Sequence, residues 1–546
     1  MNILGSLTVI GHRISLVARQ IASGVKTDGF IATFRKGAAY LAGRSDRTIT
    51  PAQWIETPLY TEDELEKQRS FVFSTPVKIS LVADATGVDR TFVSSMVSSV
   101  IAQTYSSWEL CLSGITSSEL SVSDARIVYG DASSASGDYI CRLGASDILH
   151  PSALYSVMKK IIFGADFIYT DGLTFFETPS NVLSLSFKPD YAPDNLNAVN
   201  YIGNFFCFSR SLGSASGDLH DAVIKLTSEA SSVAHIPHVL YCKRSLTCSL
   251  EPETLRSVPI DLTSPLPKVS IIIPNYEHIS DLRKCITSIL EISTYPDFEI
   301  VIVENNSKSP EIFEYYDSLK SAHSNVRVVT WSGNGFNWSS LNNLGVREAS
   351  GDYLLFLNND TQVITPDWIE QMMKYGQRPD VGIVGAMLYY PNDTVQHAGI
   401  VVGMLGTAQP AFNGAKRGSS GYMSRLLYAQ DLSAVTGACM LVRRSVWKSV
   451  GGFDEKLAVS FNDIDFCLSV RSQGYLVVWT PFAELYHFEF RSRGLTDSPE
   501  KIELTNRETA YFKDKWEKEL EAGDPYYNPN LSLDGRSYTI DRSQGQ

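Results

Sequence analysis

Three short stretches of this chain occur twice, in the same order. Lys78-Ile79-Ser80-Leu81-Val82 returns as Lys268-Val269-Ser270-Ile271-Ile272, and Tyr105-Ser106-Ser107-Trp108-Glu109-Leu110 as Tyr295-Pro296-Asp297-Phe298-Glu299-Ile300, both 190 residues on. Ser136-Gly137-Asp138-Tyr139 returns as Ser350-Gly351-Asp352-Tyr353 after a longer connection. In each copy an apolar, β-branched strand leads into a helix and then a second strand, the alternation of a doubly wound, largely parallel sheet. The chain is therefore expected to be α/β, with two Rossmann-like units in tandem and ligands beyond the carboxyl ends of the strands. At those ends the copies differ. Glu304 and Asp360 of the second face Gly114 and Ser146 of the first.

At 546 residues the chain is too long for one ordinary core. It divides into an N-terminal helical segment (1–70), a first repeat domain (71–260), a second (261–500) and a C-terminal helix and tail (501–546). Eight scattered cysteines without a CxxC read as buried thiols in a reducing cytosol, not as disulfides or a zinc site. The net charge of −13 argues against a nucleic-acid partner. No apolar run reaches bilayer length and no signal peptide is visible. The first 48 residues depart from the acidic average, with seven Lys/Arg against Asp28 and Asp46. Within them Ile3, Leu7, Ile10, Ile14, Val17 and Ile21 keep a helical period, and Phe30, Phe34 and Leu41 suggest a second helix. Such a basic amphipathic pair suits peripheral contact with an anionic membrane, or packing on the next domain or a second subunit.

Four clusters in the second repeat could carry chemistry. Val301-Ile302-Val303 delivers Glu304 to a strand end, where a carboxylate can bond a base or ribose. Leu357-Asn358-Asn359-Asp360 ends a buried strand in the way that holds one Mg²⁺ or Mn²⁺ against a diphosphate, the cation keeping waters and phosphate oxygens as further ligands. Phe461-Asn462-Asp463-Ile464-Asp465 reads as the start of a helix, whose N-terminus keeps Asp463 ionised. Glu484-Leu485-Tyr486-His487 precedes Arg491 and Arg493, which can meet phosphate bidentately. Each cluster also has a structural reading as a turn, a cap or a core histidine.

In order and spacing, the run from Lys268 to Gly494 resembles the family-2 glycosyltransferases of GT-A fold, in particular bacterial O-antigen and rhamnosyltransferase-like members. The matching pieces are Val269-Ser-Ile-Ile-Ile-Pro-Asn-Tyr276, Glu304-Asn-Asn-Ser307, Asn343-Leu-Gly345, Leu357-Asn-Asn-Asp360, Val435-Thr-Gly-Ala-Cys439, Gly451-Gly-Phe-Asp-Glu455, Asn462-Asp-Ile-Asp465 and Glu484-Leu-Tyr-His487. The resemblance implies a nucleotide-sugar donor, a divalent cation (Mg²⁺ or Mn²⁺) and inversion at the anomeric carbon. It implies Asp463 as general base, Asp360 and His487 as metal ligands, and Glu304 at the nucleobase. Pro274, Asn275, Asn306, Asn343, Asn358, Asn359 and Arg491 would complete the donor site. Asn358 replaces the first Asp of a full DxD, Asn462 stands where many members have Glu, and Phe488-Glu489-Phe490 replaces a more polar His-Glu-Ser.

The first repeat resembles the same family more distantly, in Phe187-Lys-Pro-Asp190 and His235-Ile-Pro-His-Val-Leu-Tyr241. It lacks the strand-end acids, and the register puts Leu219 at the base position. That implies a noncatalytic GT-A-like domain. The expected function is transfer of a sugar, with rhamnose or another deoxyhexose foremost, to a lipid-linked or oligosaccharide acceptor of a growing bacterial surface polysaccharide. The expected location is the cytoplasm, peripheral on the inner face of the cell membrane. The alternatives are a bifunctional transferase and a noncatalytic glycan-binding scaffold.

Overall fold

The computed structural model describes residues 49–215, 217–250, 253–488 and 498–540. The expected helices of residues 1–48, and Arg491, lie outside the described residues. Among the described residues no helix is long and apolar enough to cross a membrane.

The first unit is built on strands β1 (Ile79–Asp84), β2 (Trp108–Ser113), β3 (Ile127–Tyr129), β4 (Tyr139–Arg142), β5 (Ile148–Leu149), β6 (Phe167–Phe176), β7 (Phe206–Ser209) and β8 (Val233–Ser245). The second is built on β9 (Val269–Asn275), β10 (Phe298–Glu304), β11 (Val326–Thr330), β12 (Tyr353–Leu357), β13 (Thr361–Val363), β14 (Val381–Tyr389), β15 (Cys439–Arg443) and β16 (Leu476–His487). Their orders across the sheets are β3-β2-β1-β4-β7-β6-β8-β5 and β11-β10-β9-β12-β15-β14-β16-β13. Adding eight to each label of the first gives the second, so the sequence repeat is a repeat of topology. Both units are α/β domains, parallel through their first four strands and mixed beyond.

Helices cover both faces of each sheet, which is why the central strands carry no polar alternation: all seven residues of β9 are buried. The helices include α1 (Glu62–Ser70), α2 (Ala153–Ile162), α3 (Ile279–Ile292), α4 (Pro310–Ala322), α5 (Trp338–Glu348), α6 (Asn462–Arg471) and α7 (Pro499–Lys515). Leu282, Cys285, Ile286 and Ile289 of α3, at three- and four-residue spacing, pack on the sheet with Ile271 and Ile273.

The three repeated stretches meet in one device, present in both copies. Glu299 Oε1 accepts from the Ser270 hydroxyl at 2.7 Å, the Ser350 amide at 2.6 Å and the Ser350 hydroxyl at 2.8 Å, while Arg327 bonds Oε2 at 2.6 Å. Glu109 accepts from Ser80 at 2.6 Å and from the Ser136 amide and hydroxyl, with Lys78 at 2.5 Å on Oε2. Burial pushes both carboxyls up, but these donors outweigh it and hold each at about 2. The glycines beside them are obligatory. A Cβ on Gly351 would lie 2.7 Å from the Lys268 carbonyl oxygen, and one on Gly137 would lie 2.5 Å from that of Lys78. Each clamp sits near the starts of its parallel strands, at the opposite end from the expected site.

The C-terminal segment joins the two units. Asp524 accepts from the Val402 amide at 2.9 Å and the Ser433 hydroxyl at 2.6 Å of the second unit. Asn528 and Asn530 donate to Asp171 Oδ2 of the first at 2.8 and 3.3 Å. Asp171, fully buried, also accepts from the Lys188 amide and pairs with His235, whose other ring nitrogen meets Asp190 at 3.0 Å. The Phe187-Lys-Pro-Asp190 and His235 segments and the tail thus form one buried network. Arg378 to Asp194, and the Asp194 amide to Asp431 at 2.8 Å, bridge the units a second time.

Candidate active site

Asp360 closes the short turn between β12 and β13, and the antiparallel pairing of Thr361 with His487 brings the end of β16 against it. His487 Nε2 lies 3.3 Å from Asp360 Oδ1 and 3.3 Å from Asn358 Nδ2. Asn358 is held in turn by Trp338 at the start of α5, whose indole N–H donates to Asn358 Oδ1 at 3.2 Å. Two donors bound to one octahedral cation at about 2.1 Å stand roughly 3 Å apart, close to the Asp360–His487 spacing. The pair therefore fits a single divalent cation. Among the described residues no group of three or more His, Cys, Asp or Glu forms a metal cage, so a cation here would need oxygens from a ligand or water.

Asp463 lies in the first turn of α6. Its Oδ2 accepts from the Gly437 amide at 3.0 Å and its Oδ1 from the Ile464 amide at 2.9 Å. Burial pushes its carboxyl above the ordinary range, against the pull of those amides and the Thr436 hydroxyl. Gly437 is wedged between Trp338 and Asp463: a Cβ there would lie 2.7 Å from the indole and 3.4 Å from Asp463 Cβ. Trp338 therefore touches both halves of the site. On the far side of the same loop the Thr436 amide donates to His397 Nε2 at 3.4 Å. Burial, and then the neighbouring His487, push His397 down to about 3, so it stays neutral.

At the ends of β9 and β10 the residues form a chain. Tyr316 donates to Glu304 Oε2 at 2.5 Å, Asn275 donates to Tyr316 Oη at 2.8 Å, and Asn359 donates to Asn275 Oδ1 at 2.6 Å. Ser307 bonds Glu304 through both its amide and its hydroxyl. Glu304 is only 1% exposed, so it holds the Asn305–Ser307 turn and Tyr316 rather than standing open in the cleft. Asn306, left-handed at φ 59°, donates to the Gly333 carbonyl at 2.9 Å. Pro274 precedes Asn275 in β9, and Tyr276 just beyond is 41% exposed, leaving a ring face at the strand end.

Asn343 is engaged elsewhere. Its amide group donates to the Phe453 carbonyl and to Glu455, both at 3.0 Å, and its Oδ1 accepts from the Phe453 amide at 3.1 Å. It pins the Gly451–Glu455 loop. Asp465 likewise serves the scaffold, accepting from the Trp516 indole at 2.8 Å and pairing with Lys515 at 2.7 Å. Four contributors escaped the sequence reading: Trp338, Tyr316, His397 and Glu508. Glu508 of α7 is buried and accepts from the Ala458, Val459 and Ser460 amides just ahead of α6. Their partners lie far off in sequence, and none belongs to a local motif.

The first unit is built differently at the same positions. A Cβ on Gly114, at φ +73°, would lie 2.5 Å from the Thr86 amide nitrogen, so no side chain fits where Glu304 stands in the second unit. Ile148 pairs with Cys242 as Gln362 pairs with Tyr486, which places Ser146 and Lys243 at the positions of Asp360 and His487. Asp147 is sequestered by the Tyr241 hydroxyl and the Arg244 amide, and the Arg244 side chain bonds the Ser146 carbonyl at 3.0 Å. Counted from the first helical residue, His220 rather than Leu219 occupies the place of Asp463. His220 is bound to the Leu196 carbonyl.

Residues 270–451 match the family model described as Glycosyl transferase family 2. The second unit is a family-2 glycosyltransferase domain. The chain is 34% identical over 534 residues to the uncharacterized protein y4gI of Sinorhizobium fredii, with 85% of this chain and 58% of that protein covered. It is 33% identical over 524 residues to the O-antigen biosynthesis protein RfbC of Myxococcus xanthus, with 83% and 40% covered. It thus spans about half the length of these relatives. Among solved structures, the chain is similar to the mannosyltransferase PcManGT from Pyrobaculum calidifontis in complex with GDP-Man and Mn²⁺, at 16% identity and a TM-score of 0.32, over 42% of this chain and 60% of that one.

Proposed function

We propose that the second unit is an inverting, cation-dependent glycosyltransferase that moves a sugar from a nucleotide-sugar donor to a growing bacterial surface polysaccharide. The observation that carries this reading is the pairing of Asp360 with His487 on one side of Trp338 and Asp463 on the other. In this reading Asp463 accepts the proton of an acceptor hydroxyl, whose oxygen bonds to C1 as the C1–O bond to the diphosphate breaks, inverting that carbon. A carboxyl raised by burial is a better base than an exposed aspartate. Asp360 and His487 would hold Mg²⁺ or Mn²⁺, which supplies charge against the nucleoside diphosphate leaving group. The Tyr276 ring offers a stacking face for the base, and the Glu304–Tyr316–Asn275–Asn359 chain fixes the strand ends around it.

The relative named for O-antigen biosynthesis supports a surface-polysaccharide acceptor. The resemblance supports a deoxyhexose such as rhamnose as the donor sugar, and a location peripheral to the cytoplasmic membrane face. The first unit serves as a noncatalytic partner, because Gly114, Ser146 and Lys243 replace the three functional groups and Arg244 occupies the same strand ends. That counts against the bifunctional alternative. The intact second site counts against a pure scaffold.

Nucleotide release from dTDP-, UDP- and GDP-sugars, with and without Mn²⁺ or Mg²⁺, tests the proposal. Turnover of one donor that needs the cation, is lost in Asp360→Asn and Asp463→Asn and survives in Ser146→Ala, is expected. Loss in Ser146→Ala, or unchanged turnover in Asp463→Asn, would overturn it.

A further inference from the structure

The first unit carries an exposed apolar ridge that no part of the proposed chemistry uses. Phe71 is 54% exposed, Val72 87%, Ile162 43% and Phe163 85%. They belong to one side of the unit. The Phe71 ring packs against Tyr155 of α2 at 5.9 Å between centroids. Ile162 lies seven residues, two helical turns, beyond Tyr155 on the same face of α2, and Phe163 caps that helix. Lys159 sits between them on that face, with Lys160 adjacent, and neither forms an ion pair among the described residues. Side chains as large as phenylalanine and valine stand almost fully in water only at a cost that a partner removes.

We propose that this ridge docks the first unit on an anionic lipid surface. Four apolar tips and two lysines make a small footprint compared with the roughly 800 Å² per partner of a stable protein interface. They suit shallow insertion between headgroups, with the lysines reaching phosphate. A single weak anchor holds a protein at a bilayer only marginally, so stable binding takes two signals. The basic N-terminal stretch, seven Lys/Arg in 48 residues, precedes the same unit and supplies the second. The noncatalytic copy then acts as the platform that keeps its partner at the membrane.

The full-length chain is sedimented with phosphatidylcholine vesicles containing about 30% phosphatidylglycerol, and with phosphatidylcholine alone. Binding to the anionic vesicles is expected, with affinity reduced about tenfold or more in Val72→Asp/Phe163→Asp and several-fold in Lys159→Glu/Lys160→Glu. Donor hydrolysis should be unchanged in both, since neither pair touches the candidate site. Vesicle binding needs no turnover, so its failure is separable from failure of the proposed activity. Absent binding by the wild type, equal binding by the double variants, or a change in oligomeric state on light scattering in place of lost binding would overturn the proposal.

Discussion

Replacing Glu299 by glutamine leaves a side chain of the same shape that cannot ionise, and so imitates the protonated clamp. The Glu299 carboxyl is held at about 2, against an ordinary 4.5, by the Ser350 amide, the Ser270 and Ser350 hydroxyls and Arg327, which together outweigh burial. At about 1.4 kcal/mol per pKa unit, that depression corresponds to about 3 kcal/mol of folding free energy at neutral pH. Because the folded value is depressed, that contribution is present above pH 4.5 and is lost as pH falls toward 2. The cost of Glu299→Gln should follow it: about 3 kcal/mol at pH 7, less than half of that at pH 3, and near zero at pH 2. Urea unfolding of wild type and variant across this range, followed by tryptophan fluorescence, measures the difference. A cost below about 0.5 kcal/mol at pH 7, or one that stays constant down to pH 3, would refute the reasoning.

Asp463→Asn should lower kcat by about 10²–10⁴ while nucleotide affinity, read by calorimetry, stays within a few-fold. Because burial raises Asp463, the acid limb of the wild-type rate profile should lie above the ordinary aspartate range, activity falling as pH drops through it; a limb at or below that range would count against Asp463 as base. Gly437→Ala should abolish turnover with the unfolding midpoint little changed, since its Cβ would displace Trp338 while leaving the sheet intact. Glu508→Gln should weaken its hold on the Ala458–Ser460 amides ahead of α6 and lower kcat more than it raises donor KM. Asn528→Ala should cost about 1–3 kcal/mol by leaving buried Asp171 short of a donor, visible as faster limited proteolysis of the tail.

The tandem α/β fold was legible because the repeat anchors are themselves the clamp residues: Lys-x-Ser, the glutamate and Ser-Gly-Asp recur together because they touch one another. The strand-end acids were legible because parallel strands deliver their last residues to one rim. What escaped was any role fixed by a distant partner. Glu304 reads as an open carboxylate until Tyr316 and Ser307 are seen on it. Asn343 gives no sign in sequence of its bonds to Phe453 and Glu455. Trp338 and Glu508 carry no local signal, since their meaning lies in contacts with Asn358 and Gly437, and with the Ala458–Ser460 amides.

The tail on Asp171 has a consequence for how such a chain can change over time. The first copy lacks the strand-end acids of the second, yet its buried Asp171 is the seat of Asn528 and Asn530. Deleting the first copy would strip those asparagines of their seat and strand a tail whose Asp524 is still fixed to the second unit. The tail of the second unit is thereby tied to the presence of the first. A handful of hydrogen bonds to one buried carboxylate thus makes the first unit part of the second unit's scaffold.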